Sequence, residues 1–99
     1  MSDIVVFGSF VVDLMARSAH IPVPGETIKS SLFRMGSGGK GSNQAVACKL
    51  SGGDVTIATK VGNDAFAQVL YDQYEKTGLS TEYVFVSPEV QTGNALILV

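Results

Sequence analysis

The chain has 99 residues, 45% of them hydrophobic, and its seven basic and nine acidic residues leave a formal net charge of −2. This size and composition predict one globular unit with a modest core. Charges of both signs are dispersed along the sequence, which argues against a nucleic-acid binder or a protein held on an anionic membrane, and we expect a small-molecule partner.

Targeting signals and reactive side chains are scarce. The opening sequence, MSDIVVFGSF, has no basic region, and Gly8 and Ser9 interrupt its apolar run. Neither a signal peptide nor a membrane span is predicted, so we expect a cytoplasmic protein. Cys48 is the only cysteine and His20 the only histidine. The chain by itself therefore provides no internal disulfide, histidine-based metal site or Ser-His triad, and no metal site is predicted.

The first third of the sequence predicts strands. Ile4 to Phe7 form a continuous β-branched and aromatic run, which is typical of a strand buried in a parallel sheet. We expect Phe10 to Leu14 to continue this strand after a bend at Gly8. After a proline-rich turn, Glu26 to Met35 is predicted as an extended, partly exposed strand.

The remainder alternates between helices and strands. A small-residue helix is predicted from about Ser42 to Leu50, and a second helix from Ala65 to Thr77, where apolar residues recur at helical spacing and Asp64 provides an N-cap. Alternating apolar residues predict a strand from Val55 to Val61. Tyr83 to Val86 and the apolar run from Ala95 to Val99 are also predicted as strands. This order indicates an α/β unit with parallel pairing.

The glycine-rich stretch from Gly36 to Gly41 fits the pattern G-x-G-x-x-G. A dinucleotide site also needs an acidic residue at the end of the following strand, whereas Asp54 precedes that strand. A phosphate-binding P-loop needs glycine and a hydroxyl residue where this chain has Arg34 and Gly41. Both nucleotide interpretations are therefore rejected.

Three polar side chains remain as candidates for binding a small polar ligand. Lys40 and Asn43 lie at the start of a predicted helix, whose free N–H groups favour electronegative atoms. Asp13 lies near the carboxyl end of the first strand and can accept hydrogen bonds from two neighbouring hydroxyls. Sugar hydroxyls suit this set. Taken singly, each residue has a structural alternative: a turn aspartate, a solvated lysine and a helix-stabilising asparagine.

Four segments together resemble the N-terminal part of the ribokinase-like PfkB family of carbohydrate kinases. They are GS-x-x-x-D-L from Gly8, P-x-PGET from Pro22, GGKGSNQAVA from Gly38 and KVGND-x-F from Lys60. The resemblance covers the whole chain and implies a ribokinase-like α/β fold, a central parallel sheet flanked by helices with a small β-sheet lid. Residues 1–99 would be the N-terminal portion of one such domain, with lid segments at about 15–34 and 95–99.

The resemblance also assigns a sugar site. Asp13 would bind sugar hydroxyls, the loop residues Gly39, Lys40 and Gly41 would contact the sugar, and Asn43 would hydrogen-bond it from the helix. Val11 stands where ribokinases commonly carry asparagine, so a polar contact to the sugar is lost. Ribose or a related furanose is the implied substrate, and nucleosides or keto-sugars remain alternatives because Val11 tolerates an apolar neighbour.

The family pattern implies an enzyme that transfers phosphate from ATP, with Mg²⁺, to a hydroxymethyl group of the sugar. Its catalytic base and anion hole lie in a Gly-Ala-Gly-Asp segment that this sequence lacks, so no catalytic residue is assigned here and the chain alone is expected to be inactive. Activation by K⁺ is left open, and pairing of two copies through their lids is expected. A non-catalytic sugar-binding or regulatory fragment is the alternative from another functional class.

Overall fold

A computed structural model describes residues 2–99. These residues form six strands and two helices in a mixed α/β arrangement, which confirms the predicted fold class. In chain order the elements are β1 (Ile4–Phe7), β2 (Val11–Arg17), β3 (Leu32–Gly38), α1 (Lys40–Leu50), β4 (Val55–Gly62), α2 (Ala67–Thr77), β5 (Val84–Ser87) and β6 (Asn94–Leu98).

The central sheet consists of β1, β4 and β5, with β4 in the middle and both pairings parallel. Alternate residues of β4, including Ile57, are buried against the two helices. The apolar stripe of α2 supplies Leu70 and Tyr74, which are fully buried. The core therefore lies between the central sheet and the helices, as the two hydrophobic periodicities require.

The second sheet has β2 in its centre, with β3 antiparallel on one side and β6 parallel on the other. The prediction that Phe10 to Leu14 continue the first strand is wrong, because β2 belongs to a different sheet from β1. The chain leaves the central sheet at Gly8, which lies against Gly41 with no side chain between them. Phe10 and Val12 are then buried in the core.

The predicted strand from Glu26 to Met35 also needs correction. Strand β3 begins at Leu32 and runs to Gly38, so it includes the first part of the glycine stretch and excludes residues 26–31. Its pairing with β2 is continuous from Arg17 opposite Leu32 to Val11 opposite Gly38. This ladder of hydrogen bonds outweighs the low intrinsic strand preference of glycine.

The two helices match the prediction apart from their first turns. Helix α1 begins at Lys40, two residues earlier than predicted, and α2 begins at Ala67 rather than Ala65. The Asp64 carboxylate contacts the start of α2, since its Oδ1 accepts a hydrogen bond from the Ala67 amide at 3.0 Å. Because the helix begins two residues later than predicted, the N-cap position is occupied by Phe66 and not by Asp64. The remaining strands β5 and β6 lie within one residue of their predicted bounds.

A buried polar contact joins the two helices. The hydroxyls of Ser42 and Tyr74 share a hydrogen bond of 2.7 Å. Burial raises the pKa of Tyr74, and the hydrogen bond with Ser42 opposes this shift. The Tyr74 ring also meets Phe10 edge-on, with ring centroids 6.5 Å apart. These contacts attach the start of α1 to the middle of the core.

The second face of the central sheet is open and apolar. Val5 is 68% exposed, Phe7 91% and Phe85 56%, because both helices pack on the opposite face. Faces of parallel sheets are normally covered by other elements. Within residues 2–99, neither helix has the length and apolar character needed to cross a membrane.

Candidate functional site

The pairing of β2 with β3 brings the predicted aspartate to the glycine stretch. Val11 lies opposite Gly38, and Asp13 lies opposite Gly36. Because alternate strand residues share a face, Val11 and Asp13 lie on the same side of the second sheet. The Asp13 carboxylate lies over Gly38, where an added Cβ would come within 2.7 Å of Oδ2. A side chain at position 38 would displace this carboxylate from its present position.

The next glycines bring α1 against the end of β1. Gly39 has a φ of 94° and separates β3 from α1. A Cβ at this position would lie 2.5 Å from the Ser9 carbonyl oxygen, and one at Gly41 would lie 2.7 Å from the Cα of Gly8. The backbone that these glycines approach is therefore the chain's own. Because these glycines have no side chains, the start of α1 can pack directly against the carboxyl end of β1.

The first turn of α1 presents polar groups at this position. The Ser42 amide donates to the Ser9 carbonyl at 3.1 Å and the Asn43 amide to the Gly39 carbonyl at 2.8 Å. No side chain caps this helix, and within residues 2–99 the amides of Lys40 and Gly41 have no hydrogen-bond acceptor. Unpaired amides at a helix start attract electronegative atoms.

The predicted sugar-binding residues are brought together in part. Val11, Asp13 and the loop residues Gly39, Lys40 and Gly41 meet where the second sheet joins α1. Asn43 lies within the first turns of the helix, with an exposed side chain. Within the described chain, the side chains of Asp13, Lys40 and Asn43 have no hydrogen-bond partner. These groups thus contribute no hydrogen bond to the fold.

Two clefts lie on the open face of the central sheet, and the second also reaches Gly8 and Ser9. One, of about 610 Å³, contains Val5 and Asp54 in its lining, and the other, of about 430 Å³, contains Phe7 and Phe85. Neither cleft includes Asp13, Lys40 or Asn43. In residues 2–99 no three side chains of His, Cys, Asp or Glu are grouped as a metal site would require.

Asp64 makes a contact that the sequence did not indicate. Besides binding the Ala67 amide at the start of α2, its carboxylate accepts hydrogen bonds from the Thr92 amide at 2.8 Å and the Thr92 hydroxyl at 2.7 Å. These bonds and the one from Ala67 lower the pKa of Asp64 below its ordinary value, against a smaller effect of burial. The two residues are 28 positions apart, so no local pattern could reveal the pair.

Comparison with known families matches residues 1–99 to the pfkB family carbohydrate kinases. The chain belongs to this family. The match extends over every segment from which the resemblance was inferred. The match to the PfkB family confirms the family that the sequence motifs indicated.

Individual curated proteins that resemble this chain are sugar kinases. The chain is 42% identical to the deoxyribokinase of Salmonella typhi over 97 residues, which cover 98% of this chain and 32% of the relative. It is 38% identical to the ribokinase of Mus musculus over 96 residues, covering 97% of this chain and 30% of the relative. The chain therefore spans about a third of the length of the curated PfkB relatives that it matches.

A solved PfkB structure has the same fold over this region. Arabidopsis thaliana ribokinase complexed with ribose and ATP superimposes with a TM-score of 0.88 at 26% identity, over 98% of this chain and 32% of that structure. The ribokinase-like fold expected from the resemblance is therefore confirmed.

Proposed function

We propose that this chain is the acceptor-binding N-terminal part of an ATP-dependent kinase that phosphorylates a hydroxymethyl group of ribose or a related furanose. The observation that carries the proposal is the position of Asp13 over Gly38, directly before the uncapped start of α1. A carboxylate and unpaired helix amides provide acceptors and donors for the hydroxyls of one sugar. Lys40 and Asn43, on the same helix, add an ammonium and an amide.

The open face of the central sheet supports a longer protein. Val5, Phe7 and Phe85 expose apolar side chains on a parallel sheet, which is normally covered on both faces. We propose that further helices of the complete protein cover this face. Those parts would also supply the ATP and Mg²⁺ sites and the catalytic base, so the 99-residue chain alone would have no kinase activity.

Val11 supports a choice among the candidate sugars. This side chain is half-buried on the same face of β2 as Asp13, and it offers no hydrogen bond to a hydroxyl. A hydroxyl of the sugar placed beside Val11 would lose its hydration without gaining a hydrogen bond. A sugar with a hydrogen at that position therefore fits the site better. The 42% identity to a deoxyribokinase points in the same direction. We therefore place deoxyribose ahead of ribose, with nucleosides and keto-sugars as alternatives.

A second part of the proposal concerns assembly in the cytoplasm as a homodimer. The face of the second sheet that carries Leu14 has four exposed apolar side chains, which are Phe33, Met35, Leu96 and Leu98. Exposure of such a patch to water is unfavourable, and patches of this kind are typical of protein–protein interfaces. We propose that a second copy of the chain covers it, through the sheet that would act as the lid.

The test is a substrate panel on the complete protein. The reading frame is followed past Val99, the full product is purified, and ADP release is measured with deoxyribose, ribose, fructose and nucleosides. We expect deoxyribose to give the highest kcat/KM, and Val11→Asn to shift the preference toward ribose. A reading frame that stops near Val99, or a complete protein that phosphorylates none of these acceptors, would contradict the proposed function.

A further inference from the structure

The chain passes between the central and second sheets at three places. Residues 8–10 join β1 to β2, Gly39 and α1 lead from β3 back to β4, and residues 88–93 join β5 to β6. The first two crossings are packed against each other, since the Ser42 amide donates to the Ser9 carbonyl and Gly8 touches Gly41. The third crossing lies apart from them in sequence and is held mainly by side chains.

Asp64 and Thr92 hold this third crossing. Thr92 is only 2% exposed, and its hydroxyl accepts a hydrogen bond from the Gly62 amide at 2.9 Å while donating one to Asp64. Its amide donates to the other carboxylate oxygen of Asp64. The same carboxylate accepts a hydrogen bond from the Ala67 amide at the start of α2. One buried hydroxyl, that of Thr92, thus connects the end of β4 with Asp64 at the start of α2. Thr92 itself lies just before β6.

The next residues connect this contact to the predicted sugar site. The Gly93 carbonyl accepts a hydrogen bond from the Val12 amide at 2.9 Å, and an added Cβ on Gly93 would lie 3.2 Å from the Val11 side chain. Strand β6 then runs alongside β2, with Ala95 opposite Asp13. The hydrogen bonds between Asp64 and Thr92 therefore fix the strand that supports Val11 and Asp13.

We propose that Asp64 and Thr92 are positioning residues, which set the affinity for the acceptor sugar by holding the second sheet over the carboxyl end of the central sheet. This role rests on the proposed kinase function. Neither residue needs to touch the sugar. Loss of the contact would leave β6 less ordered before the sugar binds. Part of the binding free energy would then be used to order β6, so the affinity for the sugar would fall.

The test compares three substitutions in the complete protein. Thr92→Val removes the hydroxyl and keeps the shape, Thr92→Ser keeps the hydroxyl, and Thr77→Val removes a hydroxyl from the far end of α2 as a matched control. We expect Thr92→Val to raise the KM for sugar about fivefold or more, as for loss of a hydrogen-bonded contact. The KM for ATP should stay unchanged, and Thr92→Ser should restore the wild-type KM for sugar. An unchanged sugar KM in Thr92→Val, or an equal rise in Thr77→Val, would overturn the role.

Hydrogen exchange separates this inference from the proposed function. In the protein without substrate, Thr92→Val should accelerate exchange of the Val12 amide and of residues 94–98, while residues 55–61 keep their protection. This measurement requires no enzymatic activity. If the Val12 amide exchanges equally fast in Thr92→Val and in wild type, the positioning role alone is overturned. If exchange is faster in Thr92→Val as expected but the wild-type protein phosphorylates no sugar, the kinase proposal is overturned.

Discussion

At the residue scale, Asp13 is a polar group that the fold leaves available. Its carboxylate lies against Gly38 and makes no hydrogen bond within residues 2–99. We expect Asp13→Ala in the complete protein to weaken sugar binding by about 1.5–3 kcal/mol, the range for hydrogen bonds to a charged group. The KM for sugar is the measurement. Asp54→Ala, at the amino end of β4, is the control, and equal values of kcat/KM for Asp13→Ala and wild type would remove Asp13 from the site.

Asp64 predicts a dependence of stability on pH. Its pKa is lowered in the folded protein by the bonds from Thr92 and Ala67, so the ionised form stabilises the fold above the ordinary carboxyl value of 3.8. That contribution is lost as the pH falls through the lowered folded value. Urea unfolding between about pH 2 and 6 should show wild type losing stability in this range.

The matched variant for this measurement is Asp64→Asn, which has no charge to titrate. We expect its free energy of unfolding to lie below that of wild type at pH 6, and the two curves to converge as the pH falls below 3.8. A constant difference between the two proteins across the whole range would contradict the assignment.

At the element scale, the hydrogen bond between Ser42 and Tyr74 attaches α1 to α2. Tyr74→Phe leaves the buried Ser42 hydroxyl without a partner, so we expect it to lower the free energy of unfolding of the complete protein by about 1–3 kcal/mol. Ser42→Ala should have a similar cost. The double variant should cost less than the sum, because neither hydroxyl is then left unpaired.

The control for the helix contact is Tyr71→Phe, which changes a partly exposed ring on the same helix. We expect an effect within about 0.5 kcal/mol, as for substitutions away from buried contacts. Strictly additive losses in the Ser42 and Tyr74 double variant would show that the two hydroxyls stabilise the fold independently.

At the scale of the whole molecule, the apolar face of the second sheet predicts association. Sedimentation of the complete protein at several concentrations should show a monomer–dimer equilibrium. Leu96 is 82% exposed on this face, and Leu96→Glu should weaken the dimer strongly because it places an unpaired charge in the interface. Leu50→Glu, at the exposed end of α1, is the control. A wild-type protein that stays monomeric at every concentration would contradict pairing through this sheet.

The sequence by itself determined the local elements and the family. Hydrophobic periodicity located α2 and β4, because burial of an apolar face dominates short-range structure. A continuous apolar run located β1, and a stretch of small residues after the glycines located α1. The glycine block predicted close approach of the backbone, and Asp64 was correctly expected at the start of α2, although Phe66 occupies the N-cap position. Each of these features depends on residues within a few positions of one another.

Only the tertiary structure decided how the strands are divided and what the glycines approach. Whether residues 10–14 continue β1 or begin another sheet depends on pairing with β3 and β6, which lie far along the chain. Gly39 and Gly41 pack against the turn at Gly8 and Ser9, and Asp64 finds Thr92 28 residues away. Such contacts involve residues distant in sequence, so periodicity and local propensity carry no information about them.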